Sequence, residues 1–251
     1  MTKNLPSASP YSSKIEGEIS RNLDELFANN GLGNELTSNL PLFLTRQVFM
    51  RQLFFKELYE QIINVHGVLM EFGCRWGTNL ATMTALRGIY EPYNHNRKIV
   101  AFDTFEGLRG ITSQDGDGEL VVEGAYATAD NYEDYLSKIL TIMEGHCPIS
   151  HIKKHELVKG DVRETLPKYL TDNPQTVVAL AYLDMDLYEP TKVALEALLP
   201  HLTKGSIIAF DEMNWDALPG PTLALKDVLG LTKYAIKRSP LQPIPGYIVI
   251  D

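Results

Sequence analysis

Acids recur in this chain at the ends of short apolar runs. Val177 to Leu183 is followed by Asp184-Met185-Asp186, and Ser206-Ile207-Ile208-Ala209-Phe210 is followed by Asp211-Glu212. A run as apolar as Val177 to Leu183 reads as a strand buried on both sheet faces, so its carboxylates emerge only at the rim. Three or four carboxylates are therefore expected to converge at one edge. Like charges held that close raise one another's pKa unless a cation sits among them, and an all-oxygen ligand set suits Mg²⁺, Mn²⁺ or Ca²⁺. The competing reading is helix capping, for Glu189 and Glu212 above all.

Two further runs end in groups suited to a nucleoside. Gly67 to Phe72 leads into Gly73-Cys74-Arg75-Trp76-Gly77, where two glycines allow close backbone approach before a helix whose first amides point at a ligand. The spacing is not the GxGxxG of a dinucleotide loop, which disfavours a diphosphate there. Lys98 to Phe102 ends in Asp103, placed to accept hydrogen bonds from ribose hydroxyls or to cap a turn. A weaker run, Glu156 to Gly160, ends in Asp161.

The elements that must position these groups alternate. Apolar runs at 67–73, 98–103, 156–161, 176–184 and 206–211 are separated by helical spacing over 78–90, 132–143, 163–170 and 191–202. Alternation of this kind predicts an α/β fold, a doubly wound and mostly parallel sheet whose ligands bind outside the carboxyl ends of the strands. Tyr234-Ala235-Ile236 and Tyr247 to Ile250, joined by a Pro-rich turn, predict an antiparallel hairpin at one edge. Upstream, Ile15, Ile19, Leu23 and Leu26 share a helix face that Asn29-Asn30-Gly31 can close, and a second helix spans about 45–65. The expected domains are a disordered arm at 1–13, a helical cap at 14–65 and the α/β domain at 66–251. Residues 106–130, rich in Gly and acids without periodicity, read as a functional loop. Within them Asp115-Gly116-Asp117-Gly118-Glu119 lacks the ligand spacing of a calcium loop.

These motifs, in this order over about residues 40–215, resemble the macrocin O-methyltransferase family. Its members are class I enzymes, dependent on S-adenosylmethionine and Mg²⁺, that methylate sugar hydroxyls of macrolide, aminocoumarin and enediyne products or of their nucleotide-sugar precursors. The resemblance implies a Rossmann-like methyltransferase domain with a helical cap, in a homo-oligomer. It implies that Glu71, Gly73 and Gly77 form the cofactor loop, with Arg75 inside it, that Asp103 holds the ribose and that Asp161 lies on the adenine side. Asp184, Asp211 and Glu212 are the implied metal ligands, and Asp184 is also the implied general base. The chain departs from the family in two places: Asp211-Glu212 replaces a pair of Asp, and the first loop is poorer in Gly.

Composition narrows the partners. The 251 residues carry 23 Lys and Arg against 32 Asp and Glu, a net charge of −9 that repels nucleic acid. No apolar run reaches the roughly 18 residues of a membrane span, the polar first 20 residues lack a secretory apolar stretch, and Cys74 and Cys147 are too few for a disulfide framework. A cytoplasmic enzyme acting on a small sugar or nucleotide-sugar is the expectation. A 6-deoxyhexose linked to a nucleotide is the first acceptor to consider, on the resemblance. Tyr188 and Trp215 flank the acidic rim, where they either stack on a sugar or pack. Arg46 and Arg51 either meet a nucleotide diphosphate or are solvated helix charges. His146, Cys147, His151 and His155 form a weak zinc pattern. Two rival functions remain: a glycosyltransferase using Asp184-Met185-Asp186 as its DxD, and a nucleoside-binding module without catalysis.

Overall fold

The computed structural model describes residues 14–251, so the arm expected at 1–13 lies outside the described residues. The chain divides into two compact units with the boundary between Arg51 and Gln52.

The first unit contains α1 (Lys14–Ala28), two 3-10 turns (Gly33–Glu35 and Thr37–Phe43) and the start of α2 (Arg46–Ile62). The Asn-Asn-Gly cluster does end α1: Asn30 donates from Nδ2 to the Phe27 carbonyl, and Gly31 takes a left-handed φ of 69°. Phe27 packs edge-on against Phe43 at 5.0 Å between centroids. No residue of α1 is buried.

The second unit holds a seven-stranded sheet of order β3-β2-β1-β4-β5-β7-β6. Its strands are β1 (Val68–Phe72), β2 (Ile99–Asp103), β3 (His155–Lys159), β4 (Val178–Leu183), β5 (Leu202–Phe210), β6 (Lys237–Arg238) and β7 (Gly246–Val249). Its helices are α3 (Thr78–Tyr90), α4 (Tyr132–Gly145), α5 (Val162–Asp172), α6 (Tyr188–Leu198) and α7 (Gly220–Val228). β1 to β5 pair in parallel, while β7 runs antiparallel to both β5 and β6. The doubly wound sheet and its antiparallel C-terminal edge match the expectation from alternation.

Strand alternation sorts the core into two layers. Met70, Phe72, Val100, Phe102, Ile208 and Phe210 face α5, α6 and α7, whereas Leu69, Ile99, Ala101, Leu180 and Ala209 face α2, α3 and α4. β4 is buried at every position, as its unbroken apolar run requires. Phe54, Phe55, Leu58, Tyr59 and Ile62 of α2 recur on one helical face and pack into the second layer, Phe55 lying 4.7 Å from the Tyr182 ring. The unit boundary at Arg51 therefore precedes the expected end of the cap at Val65, because the second half of α2 is sheet core.

Three local expectations shift. α6 starts at Tyr188 instead of Thr191, since Pro190 in a first helical turn loses no intrahelical N–H bond. β6 forms at Lys237–Arg238, just beyond the expected Tyr234 to Ile236. α7 was not expected, and it begins at Gly220-Pro221, where Pro in the first turn suits a helix start. No helix among the described residues is long and apolar enough to cross a membrane.

Candidate active site

The parallel ladder continues one residue beyond several strands, and this is what gathers the site. Gly73 N–H donates to the Phe102 carbonyl at 2.8 Å, Asp184 N–H to that of Phe72 at 2.8 Å, and Asp211 N–H to that of Leu183 at 2.9 Å. Neighbouring parallel strands lie about 4.8 Å apart, so these bonds set Gly73, Asp184 and Asp211 in a row along one edge, at the switch point between β1 and β4. Gly73 has a φ of 86°, and a Cβ there would collide with the Asp184 carbonyl oxygen. Glycine is thus demanded by the β1–β4 junction itself.

The edge expected to take a nucleoside is built around Asp103. Its Oδ2 accepts from Arg75 N–H at 2.7 Å and its Oδ1 from Phe105 N–H at 2.6 Å, which ties the loop after β1 to the loop after β2. Burial nevertheless pushes its pKa up, outweighing those two amides. Each oxygen retains a lone pair, so the carboxylate fits a pair of ribose hydroxyls. Glu71 is fully buried and accepts from Asn79 Nδ2 at 2.7 Å, which locks α3 to β1. Gly77 caps α3 with a φ of 75°, and a Cβ there would strike Leu136 of α4. Asp161 caps α5: Oδ1 accepts from Arg163 N–H at 2.9 Å, and the guanidinium clasps both carboxylate oxygens, lowering its pKa. Any contact of Asp161 with a ligand must compete with that ion pair.

The acids converge beside it. One oxygen each of Asp184, Asp186 and Glu212 lie within 4.8 Å of one another, the one grouping of three or more metal-ligating side chains among the described residues. Glu212 is buried, and its Oε2 has no hydrogen-bond partner. An orphaned carboxylate oxygen beside two other acids is the arrangement that a hard divalent cation satisfies, so the donor set fits such an ion. Loss of water and the nearby Asp211 charge push Asp186 up to about 7, and burial followed by the same charge raises Glu212 well above the carboxylate range. Asp211 accepts a short hydrogen bond from the Tyr182 hydroxyl of β4 on its Oδ1.

Sequence reasoning expected Asp184, Asp186, Asp211 and Glu212 to converge at one rim and named Asp184, Asp211 and Glu212 as the metal ligands; the compact group is Asp184, Asp186 and Glu212, so Asp186 stands where Asp211 was expected. Tyr182 was missed, because it reads as one more apolar strand residue. Tyr126, in the aperiodic 106–130 segment, had no signal at all. That segment is pinned at both ends of its course. Leu108 N–H bonds to the Ala125 carbonyl and Gly124 N–H to that of Leu108, both at 2.9 Å. Asp115 is buried, its Oδ1 accepting from Tyr188 N–H and its Oδ2 from Thr112 N–H, each at 2.6 Å, so its oxygens serve the loop and the start of α6.

Other candidates resolve into packing. Tyr188 is buried and donates to Asp227 Oδ2 at 2.7 Å, tying α6 to α7. His155 lies buried with Nδ1 3.1 Å from Glu144, whose other oxygen takes Arg87 at 2.7 Å, so it belongs to a structural network and no zinc grouping forms among the described residues. Trp215 is half-buried and its Nε1 has no protein partner.

Comparison with known proteins identifies the family. Residues 70–213 match the family model described as a methyltransferase domain. A crystal structure of CalS11, calicheamicin methyltransferase, is 44% identical, with a TM-score of 0.93 over 99% of this chain and 98% of that one. An apo structure of CalS11, described as a TDP-rhamnose 3'-O-methyltransferase of calicheamicin biosynthesis, aligns over 95% of this chain and 96% of that chain at 44% identity and a TM-score of 0.84. The O-methyltransferase NovP shares the fold at 17% identity and a TM-score of 0.60, covering 80% of this chain and 79% of its own. No match was found among curated proteins.

Proposed function

Since this chain belongs to the methyltransferase-domain family and is an S-adenosylmethionine-dependent O-methyltransferase, we propose that it methylates a sugar hydroxyl, on a nucleotide-linked 6-deoxyhexose or a glycosylated natural product. Identity of 44% over nearly the whole length of an enzyme described as acting on TDP-rhamnose supports the acceptor class, and with it the macrocin-like branch of the family.

S-adenosylmethionine supplies an electrophilic methyl group on a sulfonium, and a hard divalent cation such as Mg²⁺ lowers the proton affinity of a bound hydroxyl. Asp103 would take the ribose, and the edge formed by Glu71, Gly73, Arg75 and Gly77 the remainder of the cofactor, with Asp161 on the adenine side. Asp184, Asp186 and Glu212 would hold the cation, with Asp211, which the sequence expectation placed among the ligands, beside them. A neutral sugar hydroxyl is a poor nucleophile at pH 7, and its proton must leave as the oxygen attacks. Asp184 is our general base: the ladder bond to Phe72 fixes its backbone at the switch point, between the nucleoside edge and the other acids. Holding the acceptor oxygen in line with the transferred methyl is the larger part of the rate gain, because it removes the entropy of a bimolecular encounter.

The observation that carries this reading is the group of Asp184, Asp186 and Glu212, in which buried Glu212 keeps one oxygen, Oε2, without a hydrogen-bond partner. Neither rival accounts for it alongside the nucleoside edge: a DxD glycosyltransferase gives the free lone pairs of Asp103 no ligand, and a binding module needs no acids. The test is calorimetric titration with S-adenosylhomocysteine and with TDP-rhamnose, each with and without Mg²⁺, followed by mass spectrometry of a complete reaction. We expect both to bind and the sugar nucleotide to gain one methyl group in a Mg²⁺-dependent manner. Binding of the sugar nucleotide without the homocysteine ligand would restore the glycosyltransferase reading.

A further inference from the structure

Tyr126 has no part in the chemistry above, yet several constraints converge on it. The Arg75 guanidinium carbon lies 5.0 Å from the centroid of its ring and 5.6 Å from that of Trp76. Arg75 is itself anchored, its N–H bonded to Asp103. Both residues have left-handed backbones, φ 46° for Arg75 and 66° for Tyr126, a conformation that costs a non-glycine residue on the order of 1–3 kcal/mol and persists only where the surroundings impose it.

The surroundings do impose it. Tyr126 is bracketed by hydrogen bonds from Leu108 to Ala125 and from Thr128 to Phe105. Gly107 must lack a side chain because a Cβ would collide with the Ala125 carbonyl and lie 2.8 Å from Ala127 N. The ribbon therefore presents Tyr126 at the same edge as the acids, half-buried. Burial first, and then the charges of Asp186, Glu212 and Asp184 against the opposing effect of Arg75, push its hydroxyl up to about 12. It stays protonated at neutral pH and is a hydrogen-bond donor beside acids that only accept once a cation has displaced their protons.

We propose that Tyr126 binds the acceptor sugar, donating its phenolic hydrogen bond to an oxygen next to the one that is methylated, and that Arg75 is the positioning residue that holds its ring. A guanidinium over one ring face fixes the ring plane by a cation–π contact. The acids supply acceptors for the sugar's hydroxyl protons, whereas Tyr126 supplies the complementary donor that distinguishes a polyol from a lone alcohol. This proposal rests on the sugar-acceptor reading.

The experiment is calorimetry of the protein saturated with S-adenosylhomocysteine and Mg²⁺, titrated with TDP-rhamnose. Tyr126→Phe is expected to weaken sugar-nucleotide binding about tenfold, as loss of one donor to a polar ligand does, with unchanged homocysteine-ligand affinity and Tm. Arg75 also lies in the cofactor loop, so its positioning role is read against Tyr126→Phe: Arg75→Met should weaken sugar-nucleotide binding to the saturated protein about tenfold alone but little further in the Tyr126→Phe background, and Arg75→Lys, which keeps the cation, should restore most of it. Wild-type affinity in Tyr126→Phe overturns the assignment of Tyr126 and leaves the acceptor reading intact. An Arg75→Met variant that loses only the homocysteine ligand, or an Arg75→Lys variant no better than it, overturns the positioning role. No binding by the wild type sinks the acceptor reading and this proposal together.

Discussion

The Tyr182 hydroxyl donates to Asp211 Oδ1 from the neighbouring strand, so the acid at the end of β5 is held by a phenol buried between α2 and the sheet. Asp186 and Glu212 both feel the Asp211 charge, yet the compact triad is completed by Asp186. In our proposal Asp211 lies beside the ligands, and the ligand set can be dissected by substitution. Asp184→Asn, Asp186→Asn and Glu212→Gln should each lower Mn²⁺ affinity by more than about 100-fold, and Asp211→Asn by about tenfold, the scale of a residue acting behind the ligands. Isothermal titration with Mn²⁺ measures all four. An Asp211→Asn loss equal to that of Asp184→Asn would return Asp211 to the first rank of ligands.

Catalysis should fail separately from cofactor binding. Asp184→Asn is expected to reduce turnover by at least about 10²-fold, the lower range for a general base, while S-adenosylhomocysteine binds within a factor of two or so of wild type. Single-turnover rates beside calorimetric affinities read the two effects. Full activity in this variant removes Asp184 from proton transfer.

The crowded acids make the metal-free protein sensitive to pH. The Asp186 pKa is raised from an unfolded 3.8 to about 7, so between these values the folded state binds more protons than the unfolded chain. The metal-free protein should therefore lose stability as pH rises from about 4 to 7, and Asp186→Asn should flatten that slope. Mn²⁺ affinity should move the opposite way, rising toward pH 8, since a cation must displace the proton. Scanning calorimetry and titration at pH 6 and pH 8 test both signs.

A second charged cluster is structural. Arg87 of α3, Glu144 of α4 and His155 of β3 are all buried, and Glu144 also accepts from Lys154 N–H at 3.1 Å. Although burial alone raises it, bonds from His155 and Arg87 win and hold Glu144 down at about 2. Its contribution is complete above the ordinary Glu value and is lost as pH falls toward 2. Glu144→Gln should destabilise by about 3–5 kcal/mol, because an uncompensated guanidinium is left buried. Thermal unfolding at pH 7 gives the magnitude, and unchanged homocysteine-ligand affinity in the surviving folded fraction confirms that the cluster is remote from the chemistry.

Gly73→Ala links fold and site. The added methyl would overlap the Asp184 carbonyl at a backbone angle unfavourable to alanine, so β1 and β4 must part where Asp184 is held. Loss of more than about 1 kcal/mol of stability, together with weaker Mn²⁺ binding, is expected from denaturant unfolding and titration. A stable variant with wild-type metal affinity would show that the junction yields without moving Asp184.

What the linear chain determined was set by local periodicity. Five apolar runs separated by helical spacing specify a parallel doubly wound sheet, and that topology alone puts Gly73, Asp103, Asp184 and Asp211 at the carboxyl edge, because the direction of each strand decides which end carries its acid. Tertiary structure decided which side chains share the space there. Asp186 joined Asp184 and Glu212 through a left-handed turn, φ 64°, that no spacing rule foretells. Tyr182 claimed Asp211 because β4 and β5 are neighbours in register, and Tyr126 reached the acids on a ribbon with no periodic signal, closed by hydrogen bonds between residues about 20 apart. Periodicity records which face of an element is buried; the partner of a polar group at the edge depends on backbone angles and cross-strand pairing, which exist only once the chain has folded.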